Sequence, residues 1–137
     1  MSDMIKFKFQ VSKHISIVWP LGLFPFAQGT LCSIFAAIIG FLCNVFLGSN
    51  ITLLLGVFFG IIGFFSTKIY IERIKKKDPS EVVIDEFSGQ LIATAAAGTS
   101  PIFNILALVL FRLFDIVKPG IIKKVESLDG ASGIMMD

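Results

Sequence analysis

Charge is what this chain has least of. Of its 137 residues, 12 are lysine or arginine and 10 are aspartate or glutamate, 16% in all, against 55% hydrophobic. An ordinary soluble domain carries about a quarter charged residues, so this balance, with a mean hydropathy of +0.86, excludes a normal water-facing surface and indicates a membrane protein. The net charge is only +2. No basic patch is interleaved with stacking aromatics, which sets nucleic acid aside as a partner. One histidine, His14, stands in a basic N-terminal arm, too isolated to build a Ser-His-Asp or Cys-His nucleophile. The two cysteines, Cys32 and Cys43, lie eleven residues apart in one apolar segment. On a helix they are separated by about 16 Å along the axis, too far for a disulfide, and they read as small buried hydrophobes.

What the chain does have is apolar length, interrupted at a few places. Residues 1 to 14 alternate Lys6, Lys8 and Lys13 with Ile5, Phe7, Phe9 and Val11. In isolation that alternation could be a strand, but beside a membrane it reads as a basic interfacial arm. Residues 15 to 29 are apolar but broken by Pro20, Gly22 and Pro25, which excludes a cleavable signal peptide and predicts a kinked interfacial or re-entrant segment. Leu31 to Leu47 and Ile51 to Ile71 are long enough to cross a bilayer, joined by the uncharged turn Gly48-Ser49-Asn50. Lysines before the first run and Lys68, Arg73, Lys75, Lys76 and Lys77 after the second place both flanks in the cytoplasm. Gly56 and Gly60 form a GxxxG that lets another helix approach. Glu72 to Glu81 is a charged loop in which Ser80 is expected to cap the next helix.

The stretch Val82 to Ile92, VVIDEFSGQLI, sets two adjacent carboxylates, Asp85 and Glu86, inside an apolar run. An ionised carboxylate out of water needs a cation, a hydrogen-bond donor or a favourable helix end. A helix N-terminus would supply the last of these. From Phe87 to Phe111 there are 25 residues without charge, broken by Gly98-Thr99-Ser100-Pro101. Two short arms joined by a turn predict a helical hairpin. Counted from its tip, Glu86 lies as far along one arm as Arg112 along the other, with Asp85 and Asp115 just beyond. Arg112, Asp115 and Lys118 repeat at intervals of three and share a face. Charges at membrane depth point to one another or to a functional cavity. This set suits oxygen ligation of Mg²⁺ with Arg and Lys on phosphate oxygens; a self-neutralising cluster that fixes helix register is the structural alternative. Before the first span, QGTLCS offers Thr30 as a cap and Ser33 one turn on, at a helix end able to hold an anion.

The blocks QGTLCS, VVIDEFSGQ, LFRLFDIVKP and GASGIMMD, in this order from about Leu21 onward, resemble the phosphatidylglycerophosphatase A family. The resemblance implies a Mg²⁺-dependent lipid phosphatase that converts phosphatidylglycerophosphate into phosphatidylglycerol and phosphate at the bacterial inner membrane, with an anionic phospholipid as partner. It implies Asp85, Glu86 and Asp115 as the acidic, catalytic positions, with Asp137 as a further metal ligand. It further implies Thr30, Ser33, Arg112 and Lys118 as the phosphate-binding positions. Gln28 and Cys32 depart from the family's Pro and Gly, and the segment after Lys118-Pro119 has Ile121 and Ile122 where the family has a further Pro. The family pattern continues beyond GIMMD with another Asp and an apolar helix, so this chain is expected to be C-terminally short.

The expectation is therefore an all-α, multi-helical membrane domain over residues 1–137, with two spanning helices and a helical hairpin carrying an acidic site that faces the cytoplasm. Direct attack by water is the expected chemistry, with an aspartyl-phosphate route through Asp85 or Asp115 as the other. Two different classes compete with an enzyme: a small ion carrier, and an inactive membrane protein whose charge cluster is structural.

Overall fold

The computed structural model describes residues 2–76 and 79–117. Lys118, Pro119, Asp137 and the GASGIMMD block lie outside the described residues. Five helices follow in order: α1 (Asp3–Ser16), α2 (Gln28–Phe46), α3 (Ser49–Ile74), α4 (Ile84–Ala97) and α5 (Pro101–Val117), with a 3₁₀ turn at Leu21–Leu23. The fold is all-helical, as the sequence pattern predicts.

The burial pattern of α2 and α3 is inside-out. On α2 the buried positions are Cys32, Ser33, Ala36, Gly40 and Asn44, while Ile34, Phe35, Ile38, Leu42 and Val45 face outward. On α3, Thr52, Gly56, Gly63, Ser66 and Thr67 are buried and Leu54, Phe58, Ile61 and Phe65 are exposed. Small and polar residues inside with large apolar ones outside is the arrangement of helices packed in lipid, where backbones approach through small residues and hydrocarbon solvates the rest. At 19 and 26 residues, these helices are about 28 and 39 Å long, sufficient for the roughly 30 Å hydrocarbon layer. Length, composition and outward-facing apolar side chains together mark a membrane protein.

Helix α4 is the centre of the bundle, packing against α2, α3 and α5. Its buried residues, Ile84, Phe87, Ser88, Gln90, Leu91, Thr94 and Ala95, form one face of the helix. The α3 contact is made by the GxxxG: a Cβ on Gly56 would lie 2.7 Å from Ile92 Cγ1, and one on Gly60 would lie 2.9 Å from Ser88 Oγ. Ser88 donates its hydroxyl to the Gly56 carbonyl at 2.8 Å. The hairpin is present, turning at Gly98 with φ +69°. At that end Asn44 donates from Nδ2 to the Thr94 and Gly98 carbonyls at 2.8 and 2.7 Å, and Asn104 donates to the Gly98 and Ser100 carbonyls, both at 2.8 Å. Two carboxamides thus take up backbone oxygens at the turn, those of Thr94 and Gly98 among them.

The basic N-terminal arm is a helix that packs against α3, with Ser12 and Ser16 buried and Phe9 stacked on Tyr70 at 5.8 Å. Two local expectations are corrected. Thr30 does not cap α2: the helix starts two residues earlier, with Ala27 at its N-cap in the left-handed region at φ 53° and no side-chain cap. Ser80 does not cap α4 either. That helix begins at Ile84, with Val83 as N-cap, because the Val83 N–H is taken by the Ser16 carbonyl at 3.0 Å and Val82, Val83 and Ile84 are buried.

Candidate functional site

The ends of α1, α2, α3, α4 and α5 meet on one side of the bundle. Ser16 at the end of α1 holds Val83, and its Oγ accepts a hydrogen bond from Thr67 of α3 at 3.4 Å. Cys32 on α2 donates from Sγ to the Val83 carbonyl at 3.4 Å. Cys32 is fully buried and Cys43 half-buried, both as free thiols. These contacts fix the start of α4, and with it Asp85 and Glu86, which lie in that helix's first turn. The favourable helix end is therefore part of what holds the pair.

It is not the whole of it. Gly29, in the first turn of α2, stands where a Cβ would be 2.9 Å from Glu86 Oε1 and 3.3 Å from Arg112 Nη1. The α2 terminus, Glu86 and Arg112 thus converge on one point, joining α2, α4 and α5. Arg112 Nη1 donates to Asp115 Oδ2 at 2.5 Å, and both side chains are 17% exposed. The Glu86 carboxyl is buried, and it feels the negative charge of Asp115 together with the positive charge of Arg112. Among the described residues, Glu86 Oε2, Arg112 Nε and Ser33 Oγ are buried polar atoms without a hydrogen-bond partner. The carboxamide oxygens of Asn44, Gln90 and Asn104 share this state elsewhere in the bundle, so what sets this cluster apart is that its open groups are a carboxylate and a guanidinium, which a charged ligand would satisfy.

Each residue singled out from the sequence can now be placed. Glu86, Arg112 and Asp115 are brought together, with Asp85 beside Glu86. Thr30 sits in the first turn of α2 next to Gly29, and Ser33, one turn on, is fully buried. His14 is exposed and its Nδ1 lies 2.7 Å from the Gln10 carbonyl. Lys118 and Asp137 fall outside the described residues. Among the described residues, no group of three His, Cys, Asp or Glu side chains is arranged to hold a metal ion. The reason is visible in α5, where the three-residue spacing from Arg112 turns Asp115 to the guanidinium. Sequence reasoning passed over the carboxamides Asn44 and Asn104 and the hydroxyl of Tyr70, which donates to Glu81 at 3.0 Å. Their signal was present as polar residues inside apolar runs.

The family model for phosphatidylglycerophosphatase A matches residues 14–137, the whole of this cluster included. The chain belongs to the phosphatidylglycerophosphatase A family. A Haemophilus influenzae protein named phosphatidylglycerophosphatase A is 33% identical over 136 residues, covering 91% of this chain and 83% of that one. A Bacteroides thetaiotaomicron protein with the provisional name phosphatidylinositol-3-phosphatase is 37% identical over 124 residues, 85% of this chain and 77% of that one. An uncharacterized protein of Methanocaldococcus jannaschii is 44% identical over 50 residues, 36% of this chain and 35% of that one. No solved structure matches. Family and relatives together support a lipid phosphatase role for this member of the phosphatidylglycerophosphatase A family.

Proposed function

We propose that this chain is a Mg²⁺-dependent phosphatase of the bacterial inner membrane that hydrolyses phosphatidylglycerophosphate to phosphatidylglycerol and inorganic phosphate from the cytoplasmic face. The observation that carries the reading is the burial of Glu86 against Arg112 at the start of α2, with Asp85 and Asp115 alongside. A structural cluster would be expected to satisfy its own donors and acceptors, whereas Glu86 Oε2 and Arg112 Nε have no partner among the described residues. Mg²⁺ takes one or two carboxylates and completes its shell with water and phosphate oxygens, so the adjacent Asp85 and Glu86 fit it without a third protein acid. When bound, the ion would neutralise phosphate charge and acidify a water.

The chain's own groups supply the rest. Arg112, whose Nη1 is fixed by Asp115, presents its remaining N–H groups to two phosphate oxygens. The first-turn N–H groups of α2 and the hydroxyls of Thr30 and Ser33 can add donors where negative charge accumulates. As water attacks phosphorus, its proton goes to a carboxylate, for which Glu86 Oε2 is the available acceptor, and as the P–O bond breaks the glycerol oxygen takes up a proton from that carboxyl or from water, leaving the alcohol and inorganic phosphate. Lys118 and Asp137 keep the phosphate-binding and metal-binding roles their motif positions imply. The Bacteroides relative favours a second substrate of the same chemistry, a phosphoinositide monoester.

The test is phosphate release by the purified full chain in dodecylmaltoside micelles, with phosphatidylglycerophosphate and phosphatidylinositol 3-phosphate offered separately. Release from the first lipid, abolished by chelation and restored by Mg²⁺, is expected. Asp85→Asn should lower the rate by about 10²-fold or more. An Asp85→Asn rate equal to wild type, or release indifferent to chelator, sinks the assignment.

A further inference from the structure

A trough runs along the seam between α3 and α4 and opens at Asp85. On α4 its wall is Asp85, Ser88, Gly89 and Ile92, one helical stripe at intervals of three, four and seven residues. That stripe is about 10 Å long. On α3 the facing wall includes Val57, Gly60 and Ile61, and the open trough has a volume of about 480 Å³, within the range of small-molecule clefts. Two glycines, Gly60 and Gly89, line the trough. Gly60 packs so close to Ser88 that a Cβ would stand 2.9 Å from Oγ, and Gly89 is backed by the Phe111 ring, 2.6 Å from where its Cβ would be. Ser88 gives its hydroxyl to the Gly56 carbonyl, so the wall beyond Asp85 is effectively apolar.

The two helices are antiparallel here. Gly56 lies by Ile92 and Gly60 by Ser88, which puts Val57 at the far end and Asp85 at the site end. The outer lip is formed by Val57, Ile61 and Ile92, exposed by 45, 56 and 39%, so the trough faces the lipid side of the bundle. A groove of similar character between α2 and α5, including Ile38 and Ile105, has Pro101 and Asn104 in its wall and no charged residue. It lies toward the hairpin tip, away from Glu86 and Arg112. The α3–α4 trough instead leads from the lipid face to the carboxylates.

We infer that the α3–α4 trough seats one acyl chain of the phosphomonoester lipid, with the phosphate at Asp85 and the chain running toward Val57 and Ile92. The inference rests on the lipid phosphatase reading and adds to it the element that distinguishes a membrane lipid from a soluble phosphate ester. A chain lying in the trough anchors the glycerol at its mouth and contributes to binding of the substrate in both ground and transition states, so its loss is read mainly in KM.

Dihexanoyl and dipalmitoyl phosphatidylglycerophosphate are to be compared on wild type, Val57→Trp and Ile61→Trp, with Ile38→Trp in the other groove as control. The trough variants should lose about tenfold in kcat/KM on the dipalmitoyl lipid, chiefly through KM, and stay within about twofold of wild type on the dihexanoyl lipid. Equal losses on both lipids, or the same selectivity in Ile38→Trp, overturn the inference while leaving the phosphatase reading intact. Failure of wild type to hydrolyse either lipid counts against the phosphatase reading, and a binding measurement then decides the trough separately. Phosphatidylglycerophosphate carrying a mid-chain diazirine should photolabel residues 57–61 and 88–92, with competition by the unlabelled dipalmitoyl lipid and not by its dihexanoyl analogue. Label spread evenly over the lipid-facing helices, equal competition by the dihexanoyl lipid, or a cross-linked second copy at these residues contradicts it.

Discussion

Replacing Gly29 with alanine should separate activity from stability. The added methyl would sit 2.9 Å from Glu86 Oε1 and 3.3 Å from both Glu86 Cδ and Arg112 Nη1. Ordinary contacts are about 3.5 Å or more, so the carboxylate has to withdraw by about half an ångström. The atoms in the way are the end of a flexible side chain, so the fold can absorb the shift. The site cannot absorb it as readily. A displacement of about 1 Å costs on the order of 10²-fold in rate, so half of that predicts a loss of about tenfold in kcat, or about 1.4 kcal/mol of barrier. Alanine is meanwhile the better helix former by up to about 1 kcal/mol, and Gly29 lies within α2 at no positive φ. Phosphate release and thermal unfolding in the same micelles should therefore diverge, with kcat down about tenfold and Tm unchanged or higher. Unchanged kcat would refute the placement of Glu86 and Arg112 at the reacting centre. A Tm that falls in step with kcat would show that Gly29 serves packing alone.

Other substitutions probe separate parts of the account. Arg112→Lys keeps the charge but loses the planar fork that can hold Asp115 and phosphate together, and should reduce kcat by about 10²-fold with little change in Tm; near wild-type turnover would contradict a phosphate role. Gly56→Val drives a side chain into Ile92, including its backbone nitrogen at 3.2 Å from the Cβ, and should destabilise by about 1–3 kcal/mol, seen as a lower Tm; an unchanged Tm would mean that the α3–α4 seam is not tightly packed in solution. Asn44→Ala removes two hydrogen bonds to the hairpin tip and should cost about 1–2 kcal/mol while leaving the substrate KM within about twofold. A large rise in KM would place that end of the bundle in substrate binding.

The parts of the fold that could be read from sequence were those written as long-range composition. Two apolar runs gave α2 and α3, and a charge-free stretch broken at Gly98 to Pro101 gave the α4–α5 hairpin. Counting along that hairpin placed Glu86 opposite Arg112, a pairing the packing at Gly29 bears out. Local signals failed where tertiary contacts outweighed them. The period-two alternation of Ile5, Phe7, Phe9 and Val11 is a strand pattern, yet α1 is helical because Ser12, Ser16 and Phe9 pack on α3. Thr30 and Ser80 carry capping chemistry, but backbone strain at Ala27 and the Ser16–Val83 hydrogen bond set the helix starts elsewhere. The GxxxG of Gly56 and Gly60 correctly announced close packing. It could not reveal the trough beside it, which depends on Gly89 and Ile92 arriving from another helix.

The most direct test sets wild type beside Glu86→Gln in one assay of phosphate release from phosphatidylglycerophosphate with Mg²⁺ present. The substitution preserves shape and removes the charge that lies against Gly29 and Arg112. Robust release by wild type and a loss of about 10²-fold or more in Glu86→Gln, with equal Tm, is the predicted result. Equal rates for the two proteins would contradict the claim that this buried carboxylate belongs to the reacting centre.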